Sequence, residues 1–363
     1  MLRFLAGVAG FLVVVYTLRS AIRTFILPRG VSDPTARFVF LSIRAVFDIR
    51  ASRKETYLAR DRIMALFGPV ALTALTVTWI ALVGGGYMLI YWALGVGSLS
   101  HALLLSGSSM FTLGFVTPGT VGYALLVFSQ AGIGLLLAAL LVSYLPTIYG
   151  AWSRRERAVA TLEVRAGSPP SAWNLITRYS RIRGLQAADE LWPMWEAWFV
   201  DIEETHASLT AIAFFRSPQP EWSWVNAAGV ILDSAALFTA AVDVPRSSDR
   251  ELCMRSGYIA LRRIAKLFRI EFDPDPQPGD PISIRREEFD EVWKMLVDAD
   301  VPMKSDIDQA WRDFAGWRVN YDRVLLSLAA LTMAPEAPWI SDREANWVHP
   351  FKEWWQARLG TNR

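Results

Sequence analysis

The chain has 363 residues, of which 53% are hydrophobic and 20% are charged. The first figure is high for a soluble protein and the second is too high for one embedded wholly in a membrane, so a membrane part joined to a soluble part is predicted. A net charge of +2 offers no global attraction for nucleic acid. The single cysteine, Cys253, excludes an intrachain disulfide framework and a cysteine-rich zinc site.

The amino-terminal segment 1–30 is predicted to be the first membrane span. Residues 4–18 are apolar and lead into Arg19, Arg23 and Arg29. No small-x-small cleavage site follows, so an uncleaved helix is expected rather than a signal peptide. With its continuation toward residue 28, the segment reaches the roughly 20 residues that a span requires.

Segment 31–62 is predicted to be a basic cytoplasmic linker or interfacial helix. Between positions 19 and 62, ten arginines and lysines face only four acidic residues, and such an excess beside spans marks the cytoplasmic side. Residues 35–49 mix apolar side chains with Arg37 and Arg44, which suits a helix lying on the membrane surface. A cytosolic helix that packs on the tail domain fits the same pattern, and the two alternatives stay open.

The charge-free run 63–153 is the main membrane signal. It contains no Asp, Glu, Lys or Arg, and a charge placed in hydrocarbon costs several kcal/mol. Two spans are predicted within it, one at about 63–94 with room to bend at residues 84–86, and one at about 120–149. The basic flanks predict a multi-pass protein of the cell membrane whose amino terminus lies outside and whose carboxyl-terminal domain is cytoplasmic.

The segment between these two spans is too short for another crossing. Residues Ser98–Met110 fit a helix with Ser98 or Ser100 as its N-cap, a glycine-containing extended piece follows, and Pro118-Gly119 turns the chain back. Irregular backbone at membrane depth is tolerated only where it lines a water-filled path or is buried in protein. The predicted fold class is an all-α membrane protein with three transmembrane helices, a re-entrant helix and loop, and a helical cytoplasmic domain.

The order of span, short helix, Thr-x-Gly-aromatic loop and glycine-bearing span resembles the pore module of the potassium-channel superfamily. The match covers residues 63–157, in which Ser109–Phe115 resembles the family's filter and 125–144 its inner helix. In that family, stacked carbonyls and a threonine hydroxyl replace the hydration shell of the ion. The resemblance implies that 63–153 is a pore module whose ion-binding filter consists of Thr112, Leu113, Gly114, Phe115 and Val116.

The same resemblance implies an assembly and a gate. One loop per chain supplies only part of a pore wall, so a homotetramer is implied, with the monovalent cations K⁺ or Na⁺ and the lipid bilayer as partners. Gly132 and Gly134 match the region of the gating hinge, although they could equally serve close helix packing. The gate is implied near Leu141, Ser143 and Pro146.

Two residues of the loop depart from the potassium-selective pattern. Val116 stands where the family has a second glycine, whose backbone conformation is unfavourable for a β-branched residue, and Phe115 lacks the hydroxyl of the family's tyrosine. The predicted function is therefore a cation channel, for potassium or for monovalent cations with weak selectivity. Alternatives are a non-conducting receptor or scaffold whose tail binds a partner, and a membrane-tethered enzyme, which is disfavoured because no catalytic constellation is found.

Segment 154–363 is predicted to be a helical cytoplasmic domain that gates or assembles the pore. Its predicted helices are 171–183, 187–215, 222–241, 249–270, 285–298 and 306–332, the last with a capping box at Ser305–Asp308. No Gly-x-Gly-x-x-Gly motif follows a strand, so a nucleotide-binding domain of that kind is not expected. No cofactor and no metal site is expected.

Three features of this tail admit a structural and a functional interpretation. Trp192, Trp195 and Trp198 stand at near-helical spacing and are expected in the core rather than in a ligand cage. His206 is expected to be a helix residue, not a phosphoacceptor. The acidic side chains of loop 273–281 are expected in a solvated turn rather than in a site for a divalent cation.

Overall fold

The computed structural model describes residues 1–25, 33–117 and 119–343. Within them the protein is all-helical, without a β-strand, and one isolated bridge joins Val242 and Met303. The α-helices are α1 (Leu2–Phe25), α2 (Pro34–Ser52), α3 (Tyr57–Met64), α4 (Phe67–Ala93), α5 (Leu99–Met110), α6 (Val121–Ala166), α7 (Ala172–Ile182), α8 (Leu191–Ser208), α9 (Trp224–Ala240), α10 (Ser248–Leu267), α11 (Arg286–Asp298), α12 (Ile307–Arg318) and α13 (Asp322–Thr332). The predicted all-α fold class is confirmed for these residues.

Three helical stretches of the described chain are long and apolar enough to cross a membrane. They are Leu2–Phe25, Tyr57–Ala93 and Val121–Ala166. Each of the three predicted spans overlaps one of these stretches, which fits a multi-pass membrane protein, and residues 26–30 of the first predicted span lie outside the described residues. The third stretch is one helix that does not end near position 149 as predicted, but continues for 46 residues with Pro146 inside it.

The chain forms two compact units. The first unit comprises Met1–Arg53 and Ile63–Gly150, and the second comprises Lys54–Arg62 and the chain from Ala151 onward. Residues 54–62, which were predicted to belong to a linker, are therefore part of the second unit. Helix α6 contributes its first 30 residues to one unit and the rest to the other.

In the first unit, α1 and α4 pack closely because both carry a glycine where they cross. A methyl group on Gly10 would overlap the carbonyl oxygen of Gly86, and one on Gly86 would lie 2.7 Å from Cγ2 of Val14. Small residues let two helices approach closely inside a membrane, where dispersion contacts replace the hydrophobic effect as the source of stability. Gly86 of α4 thus serves helix packing, and α4 runs unbroken through residues 84–86.

A buried acidic cap begins α2, and the helix predicted at 35–49 is confirmed. Asp33 accepts hydrogen bonds from the backbone amide of Ala36 at 3.0 Å and from the hydroxyl of Ser20 at 2.7 Å. Its carboxylate therefore caps α2 and ties it to α1. Further along α2, the ring of Phe47 packs on Phe67 at the start of α4, with 5.8 Å between centroids.

In the second unit, α9 is the central helix, and α7, α10, α12 and α13 pack around it. A buried ion-pair network ties α12 and α13 to α9: Nη1 of Arg318 lies 2.6 Å from Asp233, and its Nε donates to Asp322 at 2.7 Å. Burial alone would lower the pKa of the Arg318 guanidinium, but the charges of Asp233 and Asp322 outweigh burial and raise that pKa. The guanidinium is therefore held charged in the core.

The helix predicted at 187–215 is wrong as a single element. A 3₁₀ segment (Leu185–Glu190) precedes α8, and a second one (Thr210–Phe214) follows it. The α-helix ends at Leu209, whose φ of −125° and ψ of 59° are not helical. The helices predicted at 171–183, 222–241, 249–270 and 285–298 are confirmed as α7, α9, α10 and α11.

The helix predicted at 306–332 is also wrong as a single element, because it is divided into α12 and α13. Asn320 ends α12: its side-chain amide donates to the carbonyl of Gly316 at 3.1 Å and to the adjacent one at 3.3 Å. The predicted capping box at Ser305–Asp308 is wrong too. Asp306 is the N-cap, and it accepts from the amide of Gln309 at 2.9 Å.

The last part of α6 is built into the second unit by a buried arginine. Arg155 is 1% exposed, and its guanidinium donates to the carbonyls of Ile212 at 2.8 Å and Phe215 at 2.6 Å. The next residue of that loop, Arg216, donates to Asp61 of α3 at 2.6 Å. One short loop therefore holds both α6 and α3, and Arg155, which belongs to the basic flank of a predicted span, also has a packing role.

Candidate functional site

The short helix predicted between the second and third spans is confirmed as α5. Of the two candidate N-caps, Ser98 is the cap: its hydroxyl oxygen accepts from the backbone amide of His101 at 3.2 Å. Ser100 instead bonds to Ser98, with 2.8 Å between their hydroxyl oxygens. Ser98 thereby provides an acceptor for one of the amides that have no partner within the helix at the start of α5.

The five predicted filter residues form one loop directly after α5. The loop is tied back to the last turn of that helix, where the amide of Thr112 donates to the carbonyl of Ser109 at 3.1 Å. The amide of Leu113 donates to the carbonyl of Ser108 at 2.8 Å, and the amide of Val116 donates to the Ser108 hydroxyl at 3.3 Å. Because the acceptors of these bonds belong to residues of α5, the loop is expected to move with α5.

The loop backbone is irregular, with left-handed residues at two alternate positions. Thr112 has a φ of 53° and Gly114 a φ of 73°. Glycine adopts this region readily, whereas a β-branched residue there costs about 1–3 kcal/mol, which is a strain seen mainly at functional sites. Val116 is not in the left-handed region. The valine therefore meets no conflict with this backbone, because the left-handed positions lie elsewhere.

The loop presents apolar side chains to the outside of the chain. Leu113 is 63% exposed and Phe115 is 61% exposed, whereas Val116 packs partly against the core of the first unit. Large exposed apolar groups on a loop between apolar helices indicate a surface that lipid or another protein covers.

A buried polar cluster joins α4, α5 and α6 behind this loop. The side-chain amide of Gln130 donates to the carbonyl of Ser106 at 3.0 Å and to its hydroxyl at 2.7 Å, and its oxygen accepts from the Tyr91 hydroxyl at 3.0 Å. Ser106 in turn donates to the carbonyl of Gly84 at 2.7 Å. Sequence analysis missed Gln130, and the one available signal was an amide side chain within a charge-free run.

The two glycines predicted as a hinge occupy different surroundings on α6. A methyl group on Gly134 would overlap the carbonyl oxygen of Met110 and lie 2.8 Å from its sulfur. Gly134 therefore allows α6 to contact the end of α5, as the packing interpretation expected. Gly132 is exposed, with open space where a side chain would lie. The helix is continuous through both residues.

A second face of α6 is apolar, and the described residues leave much of it exposed. In the most apolar 18-residue segment of this helix, 17% is buried, whereas 44% is buried in the corresponding segment of the stretch that contains α4. Five of its exposed large side chains stand at heptad-like spacing with Gly132 among them, and exposed Leu136 and Leu145 lie outside that spacing; the five are Val121, Leu125, Phe128, Leu135 and Val142. Such a stripe is the pattern of a helix that meets another helix along its length.

An open pocket of about 520 Å³ lies beside the loop. It is lined by the amino-terminal part of α5, including Ser98 and His101, and by Thr117 and Tyr123 on the other side of the loop. The hydroxyl of Tyr123 donates to the carbonyl of Leu94 at 2.8 Å, which ties the start of α6 to the end of α4. Pro118 lies outside the described residues.

The tryptophans of the tail lie in its core, as expected. Trp192 and Trp195 are fully buried and Trp198 is 6% exposed. The rings of Trp195 and Trp198 meet edge to face at 4.9 Å, and Trp192 meets Phe238 of α9 at 5.7 Å. Their role in this structure is packing between α8, α9 and α10.

His206 is a core residue of the tail. It is fully buried, its Nδ1 lies 2.7 Å from the carbonyl of Ile202, and its ring packs on Trp224 at 4.6 Å. Burial, together with the nearby charge of Arg155, lowers the pKa of His206 to about 3. The ring is therefore neutral at physiological pH and inaccessible to a phosphate donor.

The acidic loop of the tail uses its carboxylates to hold its own turn. Asp273 accepts from the amide of Asp275 at 2.9 Å, and Asp280 accepts from the amide of Gln277 at 2.8 Å. Among the described residues, no group of three or more histidine, cysteine or acidic side chains is arranged to hold a metal ion.

The residues described here define a helical protein with three membrane-spanning candidates and a larger, separately packed helical unit. The chain matches no protein-family model, no curated protein and no solved structure. Any functional assignment therefore depends on the chemistry of the loop and on the elements that hold it.

Proposed function

We propose that the protein is a cation channel in which the Thr112–Val116 loops of several copies line the ion path. The observation that carries this proposal is the loop: irregular, exposed backbone with left-handed residues at 112 and 114, set between apolar helices. Backbone of this kind survives at membrane depth only where it lines water or is buried in protein. Carbonyls outside regular structure are suited to replace the hydration shell of a cation.

In this proposal α5 is a re-entrant helix that enters the membrane from outside and returns as the loop. The amino terminus lies outside, and the second unit is a cytoplasmic domain that gates or assembles the pore. The absence of Asp, Glu, Lys and Arg from 63–153 supports the membrane placement, and the basic excess at 19–62 supports the orientation.

A homotetramer is proposed because one loop supplies only one side of a pore. Closed rings of identical subunits use heterologous contacts, in which each copy presents two different surfaces. The uncovered stripe of α6 and the exposed Leu113 and Phe115 are apolar surfaces available for such contacts. Gly132, exposed on that stripe, remains the proposed hinge.

The proposed ions are K⁺ and Na⁺, with weak discrimination. Phe115 carries no hydroxyl to brace the loop from behind, and the bonds that tie the loop to α5 start from the amides of Thr112, Leu113 and Val116. A loosely braced ring of carbonyls adapts to cations of different size, and this reduces selectivity.

The test is uptake of ⁸⁶Rb⁺ and ²²Na⁺ by liposomes that contain the purified full-length protein. We expect both ions to enter faster than into protein-free liposomes. Gly114→Ala should abolish uptake because a side chain at a φ of 73° distorts the loop, whereas Gly85→Ala, at a helical glycine with open space around it, should not. Absence of uptake under every gating condition tried would contradict the proposal, as would equal uptake by the two variants.

A further inference from the structure

The strongest feature outside the loop is the buried cluster of Gln130, Ser106 and Tyr91. Gln130 and Ser106 are 0% and 1% exposed, in a part of the chain that contains no Asp, Glu, Lys or Arg. A primary amide offers two N–H donors and one carbonyl acceptor. Here both donor bonds go to Ser106 and the acceptor serves Tyr91, so every group is used.

Burial of an amide costs free energy unless all its hydrogen bonds are made. An apolar side chain at position 130 would avoid this cost and is equally compatible with a helix such as α6. The cluster therefore does more than fill space. It joins three helices at one point, because Ser106 belongs to α5, Tyr91 to α4 and Gln130 to α6, and Ser106 also donates to the Gly84 carbonyl of α4.

The cluster lies directly behind the loop along α5. Ser106 is two residues before Ser108, which holds the amides of Leu113 and Val116. On α6, Gly134 is one helical turn after Gln130 and abuts the last residue of α5. These two contacts fix α5 along its axis and toward α6, so a shift of Gln130 must move the helix that carries the loop.

We propose that Gln130 is a positioning residue for the ion path: its amide holds α5, and hence the Thr112–Val116 loop, against α4 and α6, and thereby sets the discrimination between cations. The inference rests on the proposed channel function. It goes beyond that function because it assigns control of selectivity to a side chain on α6 that is itself outside the loop.

The test uses Gln130→Leu, which keeps a similar volume but loses all three hydrogen bonds. The matched control is Thr73→Val, because the Thr73 hydroxyl bonds only within its own helix, to the carbonyl of Pro69 at 2.9 Å. Both full-length proteins are examined in liposomes for the ratio of ⁸⁶Rb⁺ to ²²Na⁺ uptake. Hydrogen exchange of the 111–117 peptide is measured by mass spectrometry.

In Gln130→Leu we expect the loop amides to exchange about tenfold faster and the Rb⁺/Na⁺ uptake ratio to change several-fold, because buried hydrogen bonds that restrain local opening are lost. Thr73→Val should change neither. Unchanged exchange and an unchanged ratio in folded Gln130→Leu would overturn the inference while leaving the channel itself intact.

If Gln130→Leu does not fold, Tyr91→Phe decides the question, because it removes a single hydroxyl from the same cluster and should give a smaller change in the same direction. If the native protein passes no cation, the proposed function fails. The exchange experiment then still tests whether Gln130 positions the loop.

Discussion

Each of the two compact units contains a buried polar cluster, and the two clusters differ in charge. Where α4, α5 and α6 of the first unit meet, the buried cluster around Gln130 consists of neutral amide and hydroxyl groups. In the core of the second unit, a fully buried arginine, Arg318, pairs with Asp233 and Asp322. The difference matches the sequence, since residues 63–153 contain no Asp, Glu, Lys or Arg, and an isolated buried charge costs more than a neutral group whose hydrogen bonds are made.

The comparison also shows what each cluster is suited to do. The ion pairs of the tail are strong and short, and they hold α12 and α13 to α9 as a rigid core. The bonds of Gln130 are fewer, and they connect three helices whose relative positions determine where a loop lies. We expect changes in the tail to affect stability, and changes in the neutral cluster to affect ion passage.

The largest effect is expected at Arg318. In Arg318→Leu, Asp233 loses its ion pair while it stays buried, and breaking a buried pair in this way costs about 3–5 kcal/mol. Urea unfolding of the full-length protein in detergent, followed by tryptophan fluorescence, measures the change. The control is Arg312→Met on the exposed side of the same helix, for which we expect a change within about 0.5 kcal/mol. Similar midpoints for the two variants would show that the network does not stabilise the tail.

A second effect is expected where α6 contacts α5. Gly134→Ala should lower the free energy of unfolding by about 1–3 kcal/mol, because the new methyl group overlaps the Met110 carbonyl and the backbone must move. Gly132→Ala has open space and should be neutral or stabilising by up to about 1 kcal/mol, through helix propensity. Thermal unfolding in detergent compares them. Equal melting temperatures would contradict the assigned contact.

A pH-dependent effect of intermediate size is expected from His206. Its pKa falls from 6.5 to about 3 on folding, so between these values the unfolded chain binds more protons than the folded chain. The stability associated with the neutral ring is complete above pH 6.5 and is lost as the pH falls, by about 1.4 kcal/mol at pH 5.5.

His206→Gln should remove this part of the pH dependence, because the glutamine amide does not titrate. The measurement is the difference in urea midpoint between native protein and variant at pH 7.5 and at pH 5.5. A difference that does not change between the two pH values would contradict a buried neutral histidine.

The smallest effect is expected at the start of α5. Ser98→Ala removes the bond to the His101 amide and should cost about 1 kcal/mol. Ser100→Ala removes a hydroxyl that bonds to the cap and not to the backbone, so it should cost less. Thermal unfolding of the two variants in detergent would rank them, and a larger loss for Ser100→Ala would reverse the cap assignment.

Sequence analysis predicted those features that depend on local pattern. The apolar run near the amino terminus and the charge-free run located the apolar helices, and the segment from Ser98 to Met110 located α5 with Ser98 or Ser100 as its cap. Sequence analysis did not predict the role of a side chain whose hydrogen-bond partners lie far away in the chain. Gln130 meets side chains 24 and 39 positions earlier in the chain. Arg155 is similar, because its carbonyl partners at 212 and 215 come from a later loop.

The errors in the tail have the same physical origin. No glycine or proline marks the breaks after Ser208 and Arg318, so periodicity alone predicted continuous helices. After Arg318 the helix ends because the Asn320 side chain satisfies the last carbonyls. The left-handed backbone at Thr112 could not be predicted from the sequence either, since a β-branched residue does not indicate a positive φ.

The most direct test of the proposed ion path is current through Thr112→Cys in planar bilayers exposed to a small cationic thiol reagent. The chain suits this experiment because its own cysteine, Cys253, is fully buried, and burial raises the pKa of that thiol. Native protein should carry current that the reagent leaves unchanged, and Thr112→Cys should carry current that the reagent blocks. Undiminished current after complete labelling of position 112, confirmed by mass spectrometry, would contradict the account.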